Sequence, residues 1–253
     1  MTAAPLLQAQ AVSVSYQTRR GSIDALRDVD LAVGEGEFVT ILGPSGCGKS
    51  TLLKLAAGLL APTRGRIDVA GAPVDGPNRD IGVAFQKPTL LPWRSVLDNV
   101  LLPSETAGER GATAVQRARD LLDLVGLRDF AGNYPNELSG GMQQRVGLAR
   151  MLQRDPKLLL MDEPFAALDA MTREALTLEL QRIWMRDRKS VLFITHSIPE
   201  AVMLSDRVLV MSARPGRVVE DFRVDIARPR SMATLAEPAF AAAADHLRRH
   251  FIG

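Results

Sequence analysis

Eight residues, Gly43-Pro44-Ser45-Gly46-Cys47-Gly48-Lys49-Ser50, have the spacing G-x-x-x-x-G-K-[ST]. Glycines so spaced let successive backbone N–H groups converge on one phosphate, and a helix starting directly after them aims its positive end at the same anion. Lys49 adds a charge for the β- and γ-phosphates, Ser50 a hydroxyl for Mg²⁺, and Thr51 supports the α-phosphate. The plainer alternative is a Gly/Ser surface turn that fits the pattern by chance. Cys47 lies among these donors, where a helix N-terminus can lower a thiol pKa and raise its reactivity. As a small filler of the loop it would do no chemistry.

Two further segments have chemical potential. Leu158-Leu159-Leu160-Met161-Asp162-Glu163 is an apolar run ending in two carboxylates. On a buried parallel strand both would reach the C-terminal edge, where ligands bind in open α/β sheets. There Asp162 would hold Mg²⁺ and Glu163 would polarise the attacking water as general base. Leu138-Ser139-Gly140-Gly141-Met142-Gln143-Gln144-Arg145 puts a serine and two glycines at a helix start, a second place suited to an anion. Read locally, it is equally an ordinary Ser N-cap with a flexible glycine pair.

The elements that must position these groups follow from apolar spacing. Leu6 to Tyr16 alternates, and Glu37 to Leu42 is apolar and β-branched, so strands precede the glycine-rich loop and a helix from Ser50 to Leu60 follows it. Arg66–Val69, Ile81–Phe85, Lys157–Met161, Ser190–Thr195 and Arg207–Met211 read as further short strands, with helical stretches between the later ones. That alternation predicts a mostly parallel sheet with helices on its faces. From about Lys87 to Asp155 the chain has Pro and Gly punctuation and helical patterns at Ala112–Val125 and Met142–Gln153, without a convincing strand. It reads as a helical subdomain inserted into the sheet domain. Beyond Asp225 the chain is Ala- and Arg-rich, with a short helix at Ala239–His250, and Arg228, Arg230, Arg248 and Arg249 read as a solvated face.

Composition excludes several classes. Apolar residues are 46% and charged residues 24%, near globular averages, so neither disorder nor a fibrous structure is indicated. The balance of 31 basic against 29 acidic residues gives no argument for a nucleic-acid partner. With the single Cys47 no internal disulfide forms, which fits a reducing compartment. The start, Met-Thr-Ala-Ala-Pro, has no secretory pattern, and no run of about 18 apolar residues occurs.

The Ser139 octet, with the motifs around it, resembles the signature of ABC-family ATPases, and the resemblance covers about residues 6–222 with each diagnostic segment in family order. It implies a P-loop NTPase (RecA-like) core, α/β with a mostly parallel sheet, an N-terminal antiparallel β subdomain and an inserted helical subdomain. Divided accordingly, 1–86 and 156–224 are the ATP-binding core, 87–155 the helical signature subdomain, and 225–253 a tail. The resemblance implies ATP and Mg²⁺ as ligands and adds residue roles. Tyr16 matches the aromatic that stacks on adenine. Gln86 matches the glutamine that senses Mg²⁺ and the attacking water, and Asp169 a loop that communicates across a dimer. His196, in Ile194-Thr195-His196, is similar to a switch histidine at the γ-phosphate. It further implies that two copies pack head to tail, so that Ser139, Gly140, Gly141 and Gln143 of one chain complete the site around Lys49 of the other.

Gln86 to Val100, Thr195 to Val202 and Met211 to Arg217 are similar to segments of bacterial importer ATPases for nitrate, aliphatic sulfonates and taurine. Expected partners are therefore a second copy, integral membrane permease subunits and, indirectly, a solute-binding protein, but no nucleic acid. The expected location is peripheral, on the cytoplasmic face of the bacterial inner membrane. Leu91 and Trp93 are an apolar group suited to gripping a helix of the membrane subunit, or to packing within the subdomain. A non-transport ABC protein acting on nucleic acid or ribosomes is the rival. Such proteins usually have two cassettes or a long coiled coil, and this chain has one cassette and no heptads. A P-loop kinase or GTPase is disfavoured by the octet and by the lack of an Asn-Lys-x-Asp motif.

Overall fold

The computed structural model describes residues 4–18 and 21–251, so the reading of the first residues, Met1 to Ala3, lies outside the described part. The chain opens with β1 (Leu7–Thr18) and β2 (Gly21–Val33), a long antiparallel pair, and continues through β3 (Phe38–Leu42) into α1 (Lys49–Ala56). β4 (Arg64–Val69) and β5 (Ala72–Pro73) join the first pair in a four-stranded sheet ordered β2-β1-β4-β5, the antiparallel part that the family resemblance implies.

The larger sheet has six strands. Besides β3 it contains β6 (Ile81–Ala84), β7 (Leu158–Asp162), β8 (Ser190–Thr195), β9 (Arg207–Met211) and β10 (Val218–Arg223), ordered β10-β9-β3-β8-β7-β6. Every pairing from β9 to β6 is parallel, and β10 closes the edge antiparallel. Between β6 and β7 the described chain has no strand but three α-helices, α2 (Val96–Thr106), α3 (Ala112–Leu124) and α4 (Gly140–Leu152), with two short 3-10 turns between the last two. α5 (Ala170–Asp187), α6 (Ile198–Leu204) and α7 (Pro238–Arg248) complete the order.

The sheet is central because both of its faces are apolar. Along β7, Leu158 and Leu160 face a cluster with Leu52, Leu53 and Leu55 of α1 and the antiparallel sheet, while Leu159 and Met161 face one with Phe38, Phe193 and Trp184. Burying each such side chain stabilises by about 1.5–3 kcal/mol, so an apolar run with no polar alternation is stable only between two layers. Phe38 sits edge-on to Trp184 with ring centroids 5.7 Å apart, which fixes α5 against the sheet.

Sequence expectations and structure differ in four places. α2 follows a stretch with proline punctuation and carries Pro103 near its end, and its start signal is local: Ser95 accepts from the Asp98 N–H. β2 and β10 were missing from the individual strand assignments. β10 is an edge strand with one face outward, so its sequence VVEDFR carries little apolar signal. The fourth difference is a correction. Arg248 and Arg249 are exposed as expected, but Arg230 is 2% exposed. Its guanidinium donates to the Val202 and Ser205 carbonyls at 2.6 and 2.7 Å and to Ile226, capping the C-terminus of α6 with a buried cation. Desolvation lowers its pKa to about 10. Arg228 lies 4.3 Å over the Trp184 ring and donates to Asp206. The tail arginines closest to β10 are therefore fastenings of the tail to the sheet domain.

Candidate active site

Four parallel strands end beside one another, β3 between β8 and β9 with β7 next to β8, so the loops leaving their C-terminal ends gather at one edge. The loop after β3 is Gly43–Gly48, and α1 begins at Lys49. Gly48 is the N-cap of α1 at φ 102°, and a Cβ there would lie 2.6 Å from the Leu26 side chain and 2.8 Å from the Ala25 carbonyl. Only glycine satisfies both the backbone angle and the approach of β2. The first N–H groups of α1 have no partner within the helix, as an anion site requires.

The loop opens into a cleft of about 540 Å³ lined by Tyr16, Ser45, Gly46, Gly48, Lys49, Ser50, Thr51, Gln86, Asp162 and Glu163, with Arg214 at its rim. Lys49 is 5% exposed, and its ammonium donates to the Gly43 and Pro44 carbonyls at 2.8 and 3.0 Å. The third direction faces Glu163 Oε1 at 3.6 Å. Burial without a direct carboxylate bond leaves that charge available for a phosphate.

β7 delivers Asp162 as its last residue, and Ser50 Oγ donates to Asp162 Oδ1 at 3.0 Å. Burial raises the Asp162 pKa, against the lowering effect of that hydrogen bond. Glu163 follows at φ 44°, a left-handed conformation that a non-glycine residue adopts only under constraint, and its N–H is tied to the Ile194 carbonyl at 2.9 Å. The carboxylate of Glu163 reaches His196 Nδ1, 3.0 Å from Oε2. Ser50 hydroxyl, Asp162 carboxylate and the Gln86 amide oxygen are hard oxygen donors around one cleft, a set that fits Mg²⁺.

Tyr16 on β1 is 41% exposed at the cleft wall, with its hydroxyl 3.4 Å from Thr51 Oγ1. Cys47 does not line the cleft. It is buried, burial raises its thiol pKa, and the filler reading of the sequence fits this environment.

Ser139, Gly140, Gly141, Gln143 and Asp169 lie elsewhere and are absent from the cleft wall. Ser139 is the N-cap of α4, accepting from the Met142 N–H, and Gln143 Nε2 donates to the Pro135 carbonyl at 2.9 Å. Asp169 is the N-cap of α5, accepting from the Thr172 N–H at 3.0 Å. The two helix starts adjoin, because a Cβ on Gly141 would meet Thr172 Cγ2 at 2.7 Å.

A family model described as "ABC transporter" matches residues 26–166. This chain belongs to the ABC transporter family. Within it, the chain is the ATP-binding and ATP-hydrolysing cassette, as the phosphate loop and acidic strand require. A taurine import ATP-binding protein of Burkholderia pseudomallei is 51% identical over 222 residues, covering 88% of this chain and 85% of that protein. An uncharacterised ABC transporter ATP-binding protein of Methanocaldococcus jannaschii is 48% identical over 229 residues, covering 90% and 86%. Among solved structures, a dimeric ATP-binding cassette in a post-hydrolysis state with ADP and Pi is 34% identical, with a TM-score of 0.77 over 87% of this chain and all of that one. With this membership the kinase reading loses its ground, and the importer relatives do not favour the non-transport reading.

Sequence reasoning missed Arg214 as a cleft residue. Its guanidinium donates to the Gly46 carbonyl, Nη2 at 3.2 Å, from a segment 168 residues away in sequence. Gly216 follows; a Cβ there would fall 1.9 Å from the Cys47 carbonyl, so the strand-like pairing of Leu26 with Gly216 presses against the phosphate loop. The sequence carries no signal for this contact, which depends on β9 lying parallel beside β3.

Proposed function

We propose that this ATPase powers import of taurine or a similar small sulfonate or nitrate-like solute, working as a head-to-tail pair beneath separate membrane permease subunits. Its identity of 51% over 88% of the chain with a taurine import ATP-binding protein carries that reading. No described helix is long and apolar enough to cross a membrane, which fits a peripheral subunit on the cytoplasmic face of the bacterial inner membrane, served indirectly by a solute-binding protein. Residues 1–86 and 156–224 would act as the ATP-binding core, 87–155 as the helical subdomain, and 225–253 as the tail.

In this reading ATP enters the cleft with adenine on Tyr16 and its phosphates on Ser45 to Thr51. Lys49 holds the β- and γ-phosphates. Mg²⁺, held by Ser50, Asp162 and Gln86, would neutralise phosphate charge during transfer. Glu163 accepts the proton of the attacking water, and His196, hydrogen-bonded to Glu163, orients that carboxylate near the γ-phosphate. Ser139, Gly140, Gly141 and Gln143 of the second copy would close over the nucleotide, with Asp169 beside them at the same face. ATP thereby selects the closed pair, and hydrolysis removes the contacts that distinguished it.

The face toward the permease would lie near Trp93. That side chain is 72% exposed, on a turn made rigid by fully buried Asn99, which exchanges hydrogen bonds with Leu91 and donates to the Arg94 and Ser95 carbonyls. An apolar side chain held out by a rigid turn supports a contact with another protein. Purifying tagged Glu163→Gln from its own cells in detergent with ATP, and identifying what is retained, tests the assembly. A multi-span membrane protein that transports taurine in proteoliposomes when paired with the wild-type ATPase is the expected result. Its absence, with soluble ribosomal or DNA-bound partners instead, would overturn the importer reading.

A further inference from the structure

The chain has three histidines, and two of them lie far from the ATP cleft at the C-terminal end of α7. His246 and His250 are one helical turn apart and meet a single carboxylate, Glu220 of β10. His246 Nε2 lies 2.6 Å from Glu220 Oε1, and His250 Nε2 lies 2.5 Å from Glu220 Oε2. One ligand atom from each residue falls within 4.8 Å of the others. The His250 contact is close but poorly directed: Glu220 Oε2 is buried and has no hydrogen-bond partner. Glu220 Oε2 thus pairs with an imidazole at 2.5 Å without a well-directed hydrogen bond, which leaves it free to ligate a cation once His250 moves outward.

We propose that Glu220, His246 and His250 form a three-ligand site for a borderline divalent transition metal, Zn²⁺ foremost, with the remaining coordination open to solvent. Two imidazoles and one carboxylate favour Zn²⁺, Co²⁺ or Ni²⁺ over Mg²⁺ or Ca²⁺, which select all-oxygen sets. His246 in the last turn of α7 and His250 in the turn that follows present both Nε2 atoms to Glu220, and the edge strand supplies this third donor from outside the helix. Zinc bonds of roughly 2.0–2.2 Å require the nitrogen and oxygen atoms to stand about 3.3 Å apart. His250, exposed beyond the last turn of α7, can withdraw by the difference between that separation and the present 2.5 Å.

The surroundings orient the ligands. Phe222, two residues from Glu220 on the same face of β10, stacks on His246 with centroids 4.8 Å apart and planes 22° from parallel. That stacking fixes the imidazole plane. Arg249 Nη2 stands 2.8 Å from His246 Nδ1. Metal on Nε2 places the ring proton on Nδ1, which can no longer accept from Arg249, so this exposed guanidinium turns out to solvent. Metal binding releases the protons otherwise held by the imidazoles, and its affinity falls as pH is lowered. Because α7 packs on α6 through Phe240, Ala243, Ala244 and Leu247, the metal would staple the tail to the sheet edge.

The test is Zn²⁺ and Co²⁺ titration of the full chain with any affinity tag removed and without nucleotide. Wild type is expected to bind one equivalent of Zn²⁺, to gain thermal stability from it, and to show Co²⁺ absorption bands of a nitrogen–oxygen site. Glu220→Gln and His250→Gln should each weaken binding at least ~10-fold while basal ATPase activity is unchanged, which also shows that they fold. Zn²⁺ affinity equal in wild type and Glu220→Gln would overturn the site. Zn²⁺ binding removed instead by His196→Ala would assign the metal to the ATP cleft and equally overturn it.

Discussion

Two helices of this chain start with serine and glycine, and their surroundings are opposite. At α1 the loop lies in a cleft with buried Lys49, paired Ser50 and Asp162, and Glu163 held between Lys49 and His196. At α4, Ser139 spends its side chain on its own N-cap, Gly140 is exposed and Gln143 bonds backward to Pro135. Both starts offer backbone N–H groups and a helix dipole, so both suit an anion. Of the two, only α1 has charged groups gathered around it in a cleft. In the proposed head-to-tail pair, a helix start suited to phosphate yet separated from the other phosphate ligands of its chain would be half of a site, with a second copy supplying the other half.

Glu163→Gln is expected to cut turnover by about 10²–10⁴ while ATP binding persists, the range for loss of a general base. Stopped-flow phosphate release measures it, and near-normal hydrolysis would remove Glu163 from the role. Lys49→Ala should weaken nucleotide binding by about 10²-fold, corresponding to two charge-assisted hydrogen bonds of roughly 1.5 kcal/mol each. Fluorescent-nucleotide titration would contradict the α1 assignment if affinity were unchanged.

Mixing addresses the comparison directly. Lys49→Ala and Ser139→Arg chains are each expected to be inactive, and equal mixing should pair half of them unlike, each pair having one intact site. About a quarter of wild-type activity is the expected recovery if sites act independently. No recovery in confirmed mixed pairs would mean that α4 serves its own chain. A smaller effect separates the caps: Ser139→Ala should cost about 1 kcal/mol of stability in denaturant melts, since its side chain caps α4 in the single chain.

Cys47 gives the smallest effect and sharpens the α1 side. Burial raises its thiol pKa, so at any pH the folded chain holds less thiolate than an unfolded one. Iodoacetamide labelling between pH 7 and 9 should therefore be slower in the native protein and rise with pH later than in the denatured protein. Faster native labelling would show that the helix N-terminus outweighs burial.

How much was legible depended on range. The phosphate loop, the run into Asp162-Glu163 and the Ser139 cap are strings of adjacent residues whose backbone does the work, and they read directly. β10 and α2 did not, because an edge strand has half an apolar pattern and Pro103 obscures a helix that Ser95 starts. Arg214 escaped because nothing in Ala213-Arg214-Pro215-Gly216 refers to Gly46. Arg230 was misread since its partners are backbone carbonyls of α6, which leave no trace in side-chain composition.

The sequence by itself determined the α/β class and the ATP chemistry, since each rests on hydrophobic period or on a motif whose function is local. Tertiary structure alone decided which charges face one another. It placed β9 beside β3 and so brought Arg214 to the loop, buried Arg230 under α6, set Glu220 between two histidines of the tail, and left Ser139 outside the cleft. Those pairings depend on strand order and layer packing over more than a hundred residues, and no local pattern encodes them.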